Sequence, residues 1–344
     1  IAAVLLTGVA NMRYVTGFDD VFDEMINAAC LVTPEVARFY TDDRYSEAAR
    51  ESASGTPWVV RVPPESLYIE ACRELHEDGV TELALEASMP YGRFKFISEQ
   101  FVGSVRIVDH LVEELRQIKE PAELERIEAA ARLTDRAFDY VLGLVGPGMT
   151  EREIALELEF FMRRNGSDGI AFCPIVASGP NAAKPHAGVS DRVMRAGEFL
   201  KLDFGARIAG YCSDMTRTLV IGAATDRQRD IYSAVLEANR AGVAAVKSGV
   251  PGKDVDGVAR RVLEARGFGE NFTHGLGHGV GLDIHERPTL GRLSHDSLRT
   301  GAVVTIEPGV YIPGFGGVRI EDLVAVEETE GRVLSTAPRE LIEI

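Results

Sequence analysis

The sequence is short of positive charge and of cysteine. Across 344 residues, 37 Lys and Arg face 53 Asp and Glu, a formal net charge of −16. Such an acidic surface repels phosphate backbones and anionic headgroups, which excludes general nucleic-acid or anionic-membrane binding. No apolar run approaches the roughly 18 residues needed to span a bilayer, so no membrane association is expected. The four cysteines (Cys30, Cys72, Cys173, Cys212) lie far apart with no CxxC spacing. That pattern implies neither a disulfide framework nor a structural zinc cluster, and it predicts buried, reduced thiols in a cytoplasmic protein. Ile1–Leu6 is too short for a signal peptide and lacks a basic flank, so it reads as a buried strand. A start at Ile rather than Met predicts that a few residues precede it.

What is present is a chain with 45% hydrophobic residues, enough for a sizeable core, and a length that favours two domains. In the first third, strand-like runs at Ala2–Thr7, Ala28–Val32, Arg38–Thr41 and Val105–Asp109 are interspersed with helical patterns at Ser66–Glu77 and Tyr91–Gln100. Their mixture predicts an α/β domain. Lys119-Glu120-Pro121 is a polar break before a long amphipathic helix from Ala122 to about Leu144. The boundary is therefore placed near Gln117, giving domains 1–117 and 118–344.

The second domain contains an internal repeat. Pro147-Gly148 recurs 104 residues later as Pro251-Gly252, and the same offset carries Ile154-Ala155 onto Val258-Ala259 and Gly197 onto Gly301. The helix Ala122–Leu144 falls on Asp226–Lys247. Each half reads helix, Pro-Gly turn, helix and strand hairpin, an α+β unit; Thr150 and Glu153 form a capping box for the second helix. At this offset Asp203 becomes Glu307, and both acids sit in apolar strands, FLKLD and VVTIE. A buried, unpaired carboxylate is costly unless it is hydrogen-bonded or binds a metal. A second acid follows each, Asp214 and Glu321. Pairing Asp203 opposite Asp214 predicts a turn at Ile208-Ala209; pairing Glu307 opposite Glu321 predicts a turn over Ile312–Gly316. Any one of these acids could be a surface residue at a strand end, but four in matched positions argue for a shared site. Four clustered anions need cations between them.

Three of the seven histidines fall in one glycine-rich stretch, HGLGHGVGLDIHE, as His274, His278 and His285. The four glycines there would permit turns and close approach to a ligand. His186 stands alone in a loop. Carboxylates with imidazole suit Mn²⁺, Co²⁺, Fe²⁺ or Zn²⁺, and a two-metal site would lower the pKa of a bridging water for hydrolysis. The same stretch places histidine where a phosphate cradle needs small residues and a helix start, which excludes a nucleotide loop.

In order and context (LDFGA, YCSDMTRT, HGLGHGVGLDIHE, TIEPGVY, VRIEDL), the chain resembles the pita-bread metallopeptidases, within them the Xaa-Pro peptidases, prolidase and aminopeptidase P. NMRYVTGF (Asn11–Phe18) and TDDRY (Thr41–Tyr45) resemble that family's smaller N-terminal domain, and Ile118–Pro121 the start of its catalytic domain. The resemblance implies a pita-bread catalytic domain with a pseudo-two-fold repeat, and two divalent ions, Mn²⁺ first with Co²⁺ or Zn²⁺ as alternatives. It implies that Asp203 and Asp214 hold one ion, His278 and Glu307 the other, and that Asp214 and Glu321 bridge. A hydroxide between the metals would attack the scissile carbonyl, with Glu307 as proton shuttle. His186 and His285 would grip the substrate and its oxyanion, His274 would help form the proline pocket, and Arg319 would orient a carboxylate.

Dipeptide specificity needs a cation for the substrate's C-terminal carboxylate, for which Arg44 and Arg319 are the candidates; Arg44 could instead pair with Asp42 or Asp43. The expected activity is prolidase, with aminopeptidase P as the alternative. A catalytically inactive binding protein on this fold would have lost ligands, and all five are present. Creatine-type hydrolysis needs no metal and is disfavoured by the full ligand set. Methionine aminopeptidase lacks the separate N-terminal domain. The family also implies a homodimer and a proline-containing peptide as substrate.

Overall fold

A computed structural model describes residues 2–23 and 25–344. The chain divides into two compact units, Ile1–Arg116 and Gln117–Ile344. No helix among the described residues is long and apolar enough to cross a membrane.

The first unit contains strands β1 (Ala3–Leu6), β2 (Ala29–Val32), β3 (Ala37–Tyr40), β4 (Trp58–Arg61), β5 (Glu82–Glu86) and β6 (Ser104–Val108). Its helices are α1 (Val9–Thr16), α2 (Ser46–Ala53), α3 (Leu67–Glu77), α4 (Tyr91–Gln100) and the single turn α5 (Glu113–Arg116). The strands form one mixed sheet in the order β4-β3-β2-β1-β5-β6. The predicted strand at Ile1–Leu6 is β1, with Ile1 itself outside the described residues. Leu5, Leu31, Tyr40, Leu83 and Leu85 form one core with α3 and α4; Leu6, Met12, Cys30, Phe39 and Trp58 form another with α1 and α2.

The second unit opens with α6 (Pro121–Leu142) and α7 (Glu151–Arg164). Both start on capping boxes, Glu120 with Glu123 and Thr150 with Glu153, which satisfy the free N–H groups of the first turn. Strands β7 (Gly169–Ile170), β8 (Ile175–Ser178), β9 (Phe199–Phe204), β10 (Ala206–Ile208), β11 (Tyr211–Cys212) and β12 (Met215–Val220) follow. The second half repeats the plan with α8 (Asp226–Ala245) and α9 (Gly252–Ala265). Its strands are β13 (Gly277–Gly279), β14 (Glu286–Leu290), β15 (Val303–Ile306), β16 (Gly309–Ile312), β17 (Gly316–Arg319), β18 (Asp322–Val326), β19 (Gly331–Val333) and β20 (Ile342–Glu343). The two larger sheets, β20-β12-β9-β8 and β14-β13-β15-β18-β19, share an antiparallel three-strand motif, β8-β9-β12 in one and β13-β15-β18 in the other.

Alternation along the strands decides which side chains meet the helices. Leu200, Leu202 and Phe204 pack on α6 and α7, and Val304 and Ile306 on α8 and α9. Lys201 and Asp203, like Thr305, therefore point to the opposite face. The inner faces of both sheets thus carry these polar groups among apolar neighbours such as Ala177 and Val303.

The register of the first hairpin differs from expectation. Asp203 pairs with Thr216, not Asp214, and the turn is Ala209-Gly210. Both turn residues have positive φ, 48° and 80°, the type I′ geometry that matches the right-handed strand twist. Closing the turn one residue later moves every partner by two positions. Asp214 remains on the face of Asp203, now as a diagonal neighbour. The second hairpin keeps the expected register: the pairs Ile306↔Asp322 and Gly309↔Arg319 bracket Glu307 opposite Glu321, and the turn spans Ile312–Gly316. The cysteine expectation needs one correction, because Cys173 is exposed while Cys30, Cys72 and Cys212 are buried and free.

Candidate active site

Asp203 lies in β9, Asp214 and Glu321 each directly precede a strand (β12 and β18), and Glu307 directly follows β15. His278 sits at the centre of β13, beside β15. Gly277 must be glycine here, since a Cβ would lie 2.0 Å from the Thr305 carbonyl oxygen. None of Gly275, Gly277, Gly279 and Gly281 has a positive φ. Their small size allows close packing against the neighbouring segments, and none of them supplies a left-handed turn; Gly275 and Gly277 also line the cavity.

These five residues meet on one cavity of about 780 Å³, which His186, His274, His285 and Arg319 also line. Asp214, His278 and Glu321 each offer a ligand atom within 4.8 Å of the others. His278 Nε2 lies 3.4 Å from Glu307 Oε1 and 3.6 Å from Asp214 Oδ2. Its Nδ1 is 3.1 Å from the Gly279 carbonyl oxygen, which can only accept. That bond fixes the proton on Nδ1 and leaves the Nε2 lone pair facing the carboxylates, the form that binds a metal.

The carboxylates are poorly solvated. Asp203, Asp214 and Glu321 are 6%, 5% and 2% exposed. Burial, then the neighbouring carboxylates, raise Asp214 and Glu321 well above the usual range. Burial pushes Glu307 up to about 7. Burial also lowers His278 and His285, and takes His274 down to about 4, so these imidazoles are neutral. Arg319 is ion-paired to one of these acids and by itself cannot balance four. Buried anions around an exposed lone pair fit one or two divalent ions.

Arg319 is 3% exposed and committed to protein partners. It is ion-paired to Asp203, and donates to Thr216 Oγ1 at 2.9 Å, Tyr311 Oη at 3.0 Å and the Pro185 carbonyl at 3.1 Å. Thr216 passes the contact on, donating to Glu321 Oε2 at 2.7 Å. Tyr311 does the same for His274, 2.9 Å from Nε2, while His274 Nδ1 meets the Gly275 carbonyl at 2.8 Å. Thr305 Oγ1 accepts from the His278 amide and donates to Glu307 at 3.2 Å. His186 and His285 are exposed at the cavity, His285 edge-on to His278 with 4.3 Å between ring centroids. Arg44 belongs to the other unit, where it forks onto Asp42 through Nε at 3.0 Å and Nη2 at 2.8 Å.

Thr216, Thr305 and Tyr311 were not singled out from the sequence. Strand alternation carries a signal for Thr216, two residues from Asp214 and on the same face. No comparable pattern marks Tyr311.

A helix-backed double sheet with carboxylates from both halves on its inner face defines a metal-dependent hydrolase scaffold. Residues 125–328 match metallopeptidase family M24, and residues 1–118 match the creatinase/prolidase N-terminal domain. The chain belongs to metallopeptidase family M24, in its two-domain form. It is 35% identical to a Xaa-Pro dipeptidase of Pyrococcus horikoshii over 99% of this chain and 95% of the relative. Among solved structures, it superposes on a Xaa-Pro dipeptidase from Bacillus anthracis with TM-score 0.94 and 38% identity, covering 100% of this chain and 95% of that one. A structure of X-Pro aminopeptidase from Thermotoga maritima gives TM-score 0.91 and 34% identity, covering 100% and 98%.

Proposed function

We propose that this protein hydrolyses the Xaa-Pro bond of dipeptides, as a metal-dependent prolidase. The observation that carries the proposal is the convergence of Asp203, Asp214, Glu307, Glu321 and the His278 Nε2 lone pair on one cavity. Asp203 and Asp214 would hold one divalent ion, His278 and Glu307 a second, with Asp214 and Glu321 shared; Mn²⁺ is the first choice, Co²⁺ or Zn²⁺ the alternatives. Such ions, when bound, supply Lewis-acid polarisation of a carbonyl and a water acidic enough to react near neutral pH.

The chain's own residues do the rest. Glu307, lifted by burial toward neutrality, is suited to take a proton from the attacking water and return it to the leaving prolyl nitrogen. His186 and His285 offer imidazole N–H groups to the scissile carbonyl as negative charge develops on its oxygen. His274 has both nitrogens engaged, so its ring face is the part left for packing, which suits one wall of a proline pocket. Arg319 positions Asp203 directly and Glu321 through Thr216, and is spent on those contacts rather than on the substrate carboxylate. Arg44, the other candidate from the sequence, is engaged with Asp42 within its own unit.

A second reading, aminopeptidase P, is favoured by an adjoining groove of about 1250 Å³ that shares His274, Gly275 and Gly277 with the cavity. That groove offers room for a chain continuing past proline. Turnover of Xaa-Pro against Xaa-Pro-Xaa by the Mn²⁺-loaded protein tests both: dipeptide preference supports prolidase, tripeptide preference the alternative, and no cleavage of either overturns the proposal. Glu307→Gln and Asp214→Asn should each abolish turnover, and metal analysis should give up to two ions per chain. The free thiols support a cytoplasmic setting. A homodimer, proposed from the family resemblance, is checked by sedimentation.

A further inference from the structure

The His186 side chain makes no hydrogen bond among the described residues, although it lines the cavity. Its place is therefore set by the backbone of the loop between β8 and β9. On either side of His186 that loop is tied to one buried acid, Glu151. It accepts from the Ser178 amide at 2.8 Å, Ser178 Oγ at 2.9 Å, Asn181 Nδ2 at 3.1 Å and Ser190 Oγ at 2.5 Å. The middle of the loop, where His186 lies, is held from a different direction.

That hold comes from the sheet below. Lys201 is fully buried in β9, on the face of Asp203, flanked by Ala177 and Thr218 on the neighbouring strands. Its Nζ donates to the Lys184 carbonyl at 2.7 Å and the Pro185 carbonyl at 3.1 Å, and lies 5.1 Å from the Tyr311 ring centroid. Arg319 Nη1 donates to the same Pro185 carbonyl. A buried amine costs several kcal/mol unless its N–H groups are satisfied, and a strand needing only stability would carry an apolar residue here. Charged or neutral, the amine can donate to both carbonyls.

We propose that Lys201 is a positioning residue for His186: it grips the two carbonyls that precede the imidazole, beside Arg319, and so fixes the imidazole over the cavity. Its effect on turnover rests on the Xaa-Pro peptidase reading; the grip itself does not.

The test uses the full metal-loaded chain in two measurements. Hydrogen exchange is followed for wild type, Lys201→Met and Lys201→Gln. In Lys201→Met, the Lys184 amide, which donates to the Asn181 carbonyl at 3.0 Å, and the amide of buried Ala187 should exchange at least about tenfold faster, the gain expected for a local opening eased by about 1.4 kcal/mol, while β9 and β12 keep their protection. Lys201→Gln, which retains an N–H donor, should recover part of that protection. In kinetics, Lys201→Met should lower kcat/KM by roughly 10–100-fold, yet cost nothing further when added to His186→Ala. Unchanged exchange at Lys184 and Ala187, loss of protection spread through β9, or losses that multiply in the double variant would overturn the proposal. Should Lys201→Met not fold, the Gln variant decides by the same criteria. A wild type inactive on Xaa-Pro peptides would sink the functional reading, and exchange alone would then decide the grip.

Discussion

The hydroxyl of Thr216 stands between Arg319 and Glu321, accepting from one and donating to the other. Thr216→Val keeps the shape and removes both bonds, and metal affinity should fall roughly 10–100-fold, as for other groups that orient ligands; calorimetric titration with Mn²⁺ checks it. The buried acids make a separate prediction for metal-stripped protein. Burial raises Glu307 from its ordinary 4.5 to about 7 in the folded chain. The folded state therefore binds the proton more tightly than the unfolded one. The associated stability is fully present below pH about 4.5 and is lost as pH rises through about 7. The melting temperature of stripped protein should fall between pH 5 and 8, and Glu307→Gln should flatten that slope. Added metal should stabilise more at pH 8 than at pH 5, because ions and protons compete for the same oxygens. At this scale the residues that meet on the cavity were legible: carboxylates in apolar strands and histidines crowded among glycines violate composition in a visible way. Thr216, Thr305 and Tyr311 violate nothing, since hydroxyls are ordinary in strands. Their roles appear only once the facing strand is known.

At the scale of elements, the Ala209-Gly210 turn fixes the register that places Thr216, rather than Asp214, opposite Asp203. Gly210→Ala would put a Cβ into left-handed backbone and should cost roughly 1–2 kcal/mol. Ala209→Gly should be neutral or mildly stabilising, because relief at φ 48° offsets the added chain entropy. Denaturant melts of the pair distinguish a turn-limited hairpin from one indifferent to its turn. The turn falls at Ala209-Gly210 rather than at Ile208-Ala209 because the tight hairpin takes positive φ at both turn positions, which Gly210 adopts readily and Ile208 does not. Helices with strong patterns, α3, α4, α6 and α8, were legible within a few residues at their ends. Missed elements were short or masked by charge. Strand β5 reads ELALE, and its Glu86 is buried because Thr7, Gly8 and Asn11 donate to it. Helix α1, eight residues long, has no side-chain cap at its N-terminus.

For the whole molecule, the apolar clusters fall within one unit or the other, with Leu5, Leu31 and Phe39 among the cores of the first and Phe138, Val235 and Val304 among those of the second. We propose the division 1–117 and 118–344 as the domain boundary. The fragment 118–344 should fold and bind metal by itself, with its melting temperature raised by Mn²⁺; a disordered fragment by circular dichroism would refute the independence of its core. The repeat offset was readable from Pro-Gly and glycine landmarks, but the seam between its halves became visible only as two sheets. Each half brings two acids to that seam, so a chain holding a single copy would own half a cage and need a twin to close it. The imidazoles are shared unequally, His186 from the first half and His274, His278 and His285 from the second. The two halves thus contribute acids evenly and imidazoles unevenly to one cavity, so losing the second half would remove three of the four imidazoles but only two of the four acids.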